Sequence, residues 1–286
     1  MPCDGQLWYR GYNVKTLTNN LRPGEFGFEK IAYLLLFGQL PSESELAEFT
    51  EVLGRSRTLP TNFYEGCHHE APSKDIMNSM TRSILTLASY DPLVAKAGID
   101  NNIRQCLSLV AIFPMLAVYG YHAYNHYEND QSMYIHRPDP KLSTAENFLR
   151  MLRADNQYTE LEARVLDMHL FFIWSTAVET TLHLPPVWLH RQVQIHTLLS
   201  RSMSSLRDQS TRSQYQGDGD DAGHPFACEA LMMRMSESIP QKMMDGEVFD
   251  HKGLIYGMGH AVYSLSDPRE RIFRGYVEKL SVAKKR

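Results

Sequence analysis

Phe28-Glu29-Lys30-Ile31-Ala32-Tyr33-Leu34-Leu35-Leu36-Phe37-Gly38, followed by Gln39-Leu40-Pro41-Ser42-Glu43-Ser44-Glu45, is the stretch that decides the fold class. Residues 28–37 are almost wholly apolar, which suits a buried helix, and Gly38 is well placed to end it. Pro41-Ser42 opens a second helix, with Ser42 and Glu45 spaced so that each side chain can cap the other's backbone N–H. Leu46, Phe49, Val52 and Leu53 then recur at helical intervals. The same capping signature returns at Ser143-Thr144-Ala145-Glu146 and at Thr159-Glu160-Leu161-Glu162, each leading into an apolar-periodic run. With few strand signals beside these, the chain is predicted to be all-α.

Outward from that core the elements are read in turn. Gln6–Tyr9 is strand-like and turns at Arg10-Gly11-Tyr12, and a short polar segment follows. A helix starting near Ser73 buries Ile76, Met77, Met80, Ile84 and Leu87 and stops at Tyr90-Asp91-Pro92. Residues from Asn102 to Tyr124 are densely apolar with Pro114 inside, which predicts a long helix that kinks or breaks there. His122 and His126 lie one turn apart, a spacing that can serve a metal, but no third ligand stands at a matching distance. The pair therefore reads as an exposed helix end, with His68, His69 and His136 in predicted loops. After Phe172 the helical rhythm fails: Trp174 to Arg201 carries Pro185-Pro186 and no consistent apolar face, and Ser204 to Gly223 is polar. Gly217-Asp218-Gly219-Asp220-Asp221 lacks the spaced oxygens and closing glutamate of a calcium loop.

Composition narrows the classes. The 286 residues allow one large or two modest domains, and 43% hydrophobic, 22% charged residues with a net charge of -4 describe an ordinary globular protein. There is no basic excess to attract nucleic acid. Cys3, Cys67, Cys106 and Cys228 are scattered without a CxxC pair, as expected of free thiols in a reducing cytoplasm. No apolar run is read as long enough for a membrane span, and the first residues carry no targeting pattern, so the expected location is cytoplasmic.

One stretch carries chemistry. Gly257-Met258-Gly259-His260-Ala261-Val262-Tyr263 runs on to Asp267-Pro268-Arg269. The glycines let backbone approach a ligand closely, Pro268 suits the first turn of a helix, and Asp267 suits its cap. An imidazole and a guanidinium on one such corner equip it for a small dicarboxylate or ketoacid. A solvated loop whose His and Arg do nothing is the alternative on spacing alone.

Tyr9-Arg10-Gly11-Tyr12, the Phe28–Pro41 run, Asp75-Ile76-Met77, Tyr90-Asp91-Pro92 and the Gly257–Arg269 motif, in that order, resemble the citrate synthases, and most closely their bacterial branch. The resemblance implies a nearly all-helical two-domain homodimer, here incomplete at its C-terminus. Residues 1–211 would be the large domain, with 172–211 atypical, and 212–286 a partial small domain. It also implies condensation of acetyl-CoA with oxaloacetate and water to citrate and CoA, the first step of the tricarboxylic acid cycle. No permanently bound cofactor, metal, nucleic acid or membrane enters that chemistry; acetyl-CoA is a co-substrate. His260 matches the histidine that donates to the oxaloacetate carbonyl as carbon attacks, and Arg269 an arginine that binds the substrate carboxylates. Gly257, Met258 and Gly259 match the segment lying against the adenine of CoA.

The departures are as specific as the matches. Where the family carries a Glu-His-Gly-Gly-Asn motif for oxaloacetate, the chain has Trp174-Ser175-Thr176-Ala177-Val178-Glu179. Where the family has its enolate-stabilising histidine in His-Gly-Gly-Ala-Asn, the chain has Ser210-Thr211-Arg212-Ser213-Gln214. The family's catalytic aspartate is expected beyond Arg286. With suitable synonymous codons, Trp174–Pro186 read two bases on spells Glu-His-Gly-Gly-Gly-Asn-Asn-Ser-Thr-Phe-Thr-Thr. Shifted readings of Arg207–Thr211 and Arg212–Asp221 contain Gly-Pro-Lys-His and Gly-Ala-Asn-Ile-Lys-Val-Met-Glu. Residues of about 172–240 are therefore expected to derive from a coding region read out of frame, leaving a polypeptide that forms little citrate. Two other readings stand: a 2-methylcitrate synthase using propionyl-CoA, and a non-catalytic pseudoenzyme or helical interaction module.

Overall fold

Helix α2, Phe28–Phe37, forms as its sequence predicts and ends at Gly38, whose φ of 81° lets its N–H reach back to the Leu34 carbonyl at 2.8 Å. The structure is a computed structural model, and it describes residues 2–3, 5–22, 24–61, 63, 73–181 and 267–284. Ahead of α2, strands β1 (Pro2–Cys3), β2 (Gln6–Tyr9) and β3 (Tyr12–Asn13) pair antiparallel in that order. Arg10 and Gly11, at φ 50° and 91°, make the tight β2–β3 turn, and alternation buries Leu7 and Tyr9. The polar segment expected next is in fact helix α1, Val14–Asn19, which starts because the Asn13 side chain accepts the Lys15 N–H at 2.9 Å. Val14 and Leu17 give it an apolar face too short to register as a period.

All three predicted capping boxes form. They open α3 (Glu43–Arg55) through Ser42 and Glu45, α6 (Thr144–Leu152) through Ser143 and Glu146, and α7 (Glu160–Thr181) through Thr159 and Glu162. Helix α4, Ile76–Tyr90, starts three residues after Ser73, near which it is expected: Asp75 accepts the Asn78 N–H, and Ser73 accepts that of Asp75. Helix α5, Ile99–Asn129, runs through Pro114 without the expected break. One missing donor is a local loss, and packing against α3, α4 and α6 holds the turns on either side. By length and composition α5 could cross a membrane, contrary to the expectation that no run reaches that length. Its apolarity has a simpler source, since 61% of the apolar stretch is buried inside the protein. Helix α7 likewise continues to Thr181, past Phe172 where the sequence rhythm fails.

The described core has three parts that share helices. Leu109, Ile112 and Leu116 of α5 pack with Met80 and Ile84 of α4 and Met151 of α6. Phe28 and Ala32 of α2 meet Phe49 and Leu53 of α3 and Val110 and Ala111 of α5. The hairpin, α1, α2 and α7 enclose Leu7, Val14, Ile31, Leu34, Met168 and Phe171. Helix α8, Pro268–Lys284, closes this last part with Ile272, Phe273 and Tyr276.

Buried charge ties the helices together. The Glu29 carboxylate, inside α2, accepts the Thr144 N–H at the start of α6 at 2.8 Å and lies 3.9 Å from the buried Arg57 guanidinium. Arg57 in turn donates to the Leu142 and Asp139 carbonyls and to the Thr144 hydroxyl. Asn147 holds the same loop from the other side, through both backbone groups of Asp139 and the carbonyls of Leu142 and Ser143. Helix α3 meets that loop without a side chain between them: a Cβ on Gly54 would lie 2.2 Å from the Pro140 carbonyl oxygen.

Candidate functional site

The described part of the site begins where α8 does. Pro268 occupies the first helical position, where its missing N–H costs nothing, and Asp267 precedes it as the cap, as its sequence predicts. Asp267 Oδ1 accepts the Arg269 backbone N–H at 2.8 Å. The same carboxylate also grips the Arg269 side chain: Nε lies 3.0 Å from both oxygens, and Nη2 2.7 Å from Oδ2. An arginine in the first turn faces the positive end of the helix dipole, so this carboxylate offsets an otherwise unfavourable placement. The two side chains are only 17% and 15% exposed, so water screens the pair poorly.

Helix α8 is held in one register on α7. The Phe273 ring lies 5.4 Å from that of His169, and Lys284 Nζ lies 2.8 Å from Glu162 Oε1, so the two helices run antiparallel. Glu162 also pairs with Arg153 at 2.7 Å, and these cations hold its carboxyl well below the usual carboxylate range. In that register Arg269 lies one turn before Phe273, toward the C-terminal half of α7. That is the stretch containing Trp174, where the departure from the family motif begins.

Of the sequence-predicted site, Arg269 is described and lies in this corner. His260, Gly257, Met258 and Gly259 lie outside the described residues, as do His68 and His69. His122 is not at an exposed helix end. It is 5% exposed, and its Nε2 lies 3.1 Å from the Met151 carbonyl, because the α5 face one turn from His126 is covered by α6. His126 Nδ1 lies 2.9 Å from the Gln131 carbonyl, within the turn that ends α5.

Two features escaped the sequence reading. One is the side-chain grip of Asp267 on Arg269, for which an acid and an arginine two apart across a proline at a helix start were the available signal. The other is Asp167, an acid amid the apolar face of α7, buried at 3% exposure. Its oxygens accept the Gly27 and Phe28 N–H groups at 2.7 and 3.0 Å, capping α2 from 139 and 140 residues away. Burial and the nearby Glu29 push its carboxyl up to about 7, against the pull of those two donors. A cavity of about 200 Å³ beside it is lined by Arg22, Glu25, Arg164, Met168 and Tyr276 as well. Arg22 pairs with Glu43, Glu25 with Lys30 and Arg164 with Glu160, so its wall reads as a seam between α8 and the body.

Comparison with known proteins bears directly on this corner. The family model for the citrate synthase C-terminal domain matches residues 2–174 and 222–286, taking in both the helical body and the Gly257–Arg269 motif. It leaves 175–221 unmatched, inside the stretch whose composition departs from the family. The 2-methylcitrate synthase of Shewanella oneidensis is 26% identical over 275 residues, covering 96% of this chain and 67% of that protein. The citrate synthase of Thermoplasma acidophilum is 23% identical over 287 residues, covering 98% and 67%. Among solved structures, citrate synthase from Pyrobaculum aerophilum superposes with a TM-score of 0.72 at 21% identity, covering 98% of this chain and 66% of that one. The Thermoplasma acidophilum enzyme, in a ternary complex with carboxymethyl coenzyme A and oxaloacetate, superposes with a TM-score of 0.68, also at 21% identity, covering 98% and 68%. The chain thus spans about two thirds of the length of these relatives. With the expected all-helical architecture in place and the family model matched along most of its length, the chain belongs to the citrate synthase family of acyltransferases.

Proposed function

We propose that the gene encodes a citrate-forming enzyme, condensing acetyl-CoA with oxaloacetate, and that this polypeptide itself turns over little or no substrate. The observation that carries the reading is the two-part family match, which includes His260 and Arg269 and omits residues 175–221. In this reading Arg269 binds a carboxylate of oxaloacetate, and His260 donates a proton toward its carbonyl oxygen as the acetyl carbon attacks. The backbone at Gly257, Met258 and Gly259 lies against the adenine of CoA. Trp174–Glu179 and Ser210–Gln214 stand where the family's oxaloacetate-binding and enolate-stabilising histidines are needed, so two essential donors are missing.

A shifted reading frame across about 172–240 accounts for that pattern, with residues 212–286 then forming part of a small domain. A cytoplasmic homodimer is part of the same reading. Leu85, Tyr90, Leu93 and Ile99, on α4 and the turn into α5, are exposed apolar side chains suited to cover by a second copy. Propionyl-CoA as the donor is the second reading, favoured by the likeness to the Shewanella oneidensis 2-methylcitrate synthase. One methylene separates the substrates, a difference typically worth only about 1–3 kcal/mol.

The test is thiol release from acetyl-CoA and propionyl-CoA in the presence of oxaloacetate. Purified chain should release none above background, and a version with the frame restored across 172–240 and the family's catalytic aspartate supplied should release thiol with one donor preferred. Turnover by the chain itself would overturn the inactive reading, and none from the restored version would overturn the enzymatic one.

A further inference from the structure

We propose that Asp267 is an internal competitor for the Arg269 clamp, so that a bound dicarboxylate must exchange with it rather than enter an open fork. The inference rests on the reading of Arg269 as a carboxylate-binding residue. A guanidinium takes a carboxylate most strongly along an edge that offers two parallel N–H groups. In this structure the edge formed by Nε and Nη2 is already bound by Asp267, at 3.0 and 2.7 Å. The second anion-attracting feature, the N-terminus of the 17-residue helix α8, is occupied by the same carboxylate through the Arg269 N–H at 2.8 Å. One side chain therefore fills both the Nε–Nη2 edge and the helix N-terminus, two places suited to a substrate carboxylate.

Asp267 could instead preorganise the guanidinium and so help a ligand. Two observations favour competition. Ile272, Phe273 and Tyr276 anchor α8 in the core, so the Arg269 backbone is held by more than the Asp267 cap. With the pair 17% and 15% exposed, a second carboxylate brought within a few ångströms would meet a poorly screened like charge. Repulsion between two carboxylates in such surroundings exceeds the rotamer restraint lost from one arginine. Asparagine ranks with aspartate as a helix cap, so Asp267→Asn keeps the start of α8 while removing the competing charge.

Oxaloacetate binding to the full chain and to the Asp267→Asn, Asp267→Ser and Arg269→Gln variants, by isothermal titration calorimetry, tests this. About tenfold tighter binding is expected in both Asp267 variants, a ratio that like-charge removal at this range readily supplies, with none in Arg269→Gln. Equal or weaker binding in both Asp267 variants, with binding lost in Arg269→Gln, overturns the competitor role and leaves the clamp standing. Undiminished binding by Arg269→Gln, or no heat from any of the four proteins, overturns the clamp and the competitor together. Failure of both Asp267 variants to fold, seen by far-ultraviolet circular dichroism, would show that Asp267 is the required counter-charge, and also overturns the proposal.

Discussion

Asp167 and Asp267 both cap helices in this protein, and they do so in opposite ways. Asp167 reaches the N-terminus of α2 across 139 and 140 residues of sequence, is 3% exposed, and forms no ion pair among the described residues. Asp267 caps α8 from the adjoining residue, is partly exposed, and is bound to the arginine two positions on. The first joins elements that are distant in the chain, so its loss should be felt by the whole fold. The second serves a local corner, so its loss should be felt mainly by whatever enters that corner. Fold and site thus use the same chemistry, a carboxylate at a helix start, with the difference set by sequence separation and exposure.

The contrast predicts a graded series of effects. The largest should come from Arg57→Ala, which leaves Glu29 buried beside the start of α6 without its cation and removes one of the two donors to the Leu142 carbonyl. Breaking a buried pair from one side costs about 3–5 kcal/mol, and urea denaturation should show a loss of that order. An effect within experimental error would mean the buried network does not hold the fold.

Next is a pH effect from Asp167. Its carboxyl, raised to about 7 from an ordinary 3.8, keeps a proton in the folded chain that the unfolded chain has already lost. Its contribution is therefore fully present below about pH 4 and is lost as pH rises to about 7, by about 1.4 kcal/mol per pH unit in that window. The stability of the wild type relative to Asp167→Asn should fall across this range and level off above it. A flat difference would place the carboxyl in the ordinary range. Gly54→Ala should follow, at about 1–3 kcal/mol for forcing α3 away from Pro140, read as a lowered denaturation midpoint. Asp267→Asn should be smallest in stability, at about 1 kcal/mol or less for a local pair that keeps its cap. A loss as large as that of Arg57→Ala would erase the distinction between the two regions.

Much of the helical body was legible because its signals are local. Ser42 with Glu45, Ser143 with Glu146, Thr159 with Glu162 and the Gly38 stop each lie within one turn of the boundary they set. Features decided by distant contacts were not legible. Asp167 looks like a stray acid on an apolar face until α2 is brought against it, and His122 looks exposed until α6 covers it. Pro114 carries a strong breaking signal that the packing around α5 overrides. At the site, the Asp267 cap followed from its position before Pro268, whereas its hold on the Arg269 side chain required the rotamer of a long side chain, which sequence does not specify.

The proposed shift of reading frame between the two matching parts is tested most directly by the codons of the unmatched part. Determination of the coding DNA across residues 172–240 should find that the bases of Trp174–Pro186, read two positions on, spell Glu-His-Gly-Gly-Gly-Asn-Asn, with the matching frame regained before Gly257. Codons at Trp174–Pro186 whose shifted frames spell no such motif would contradict it.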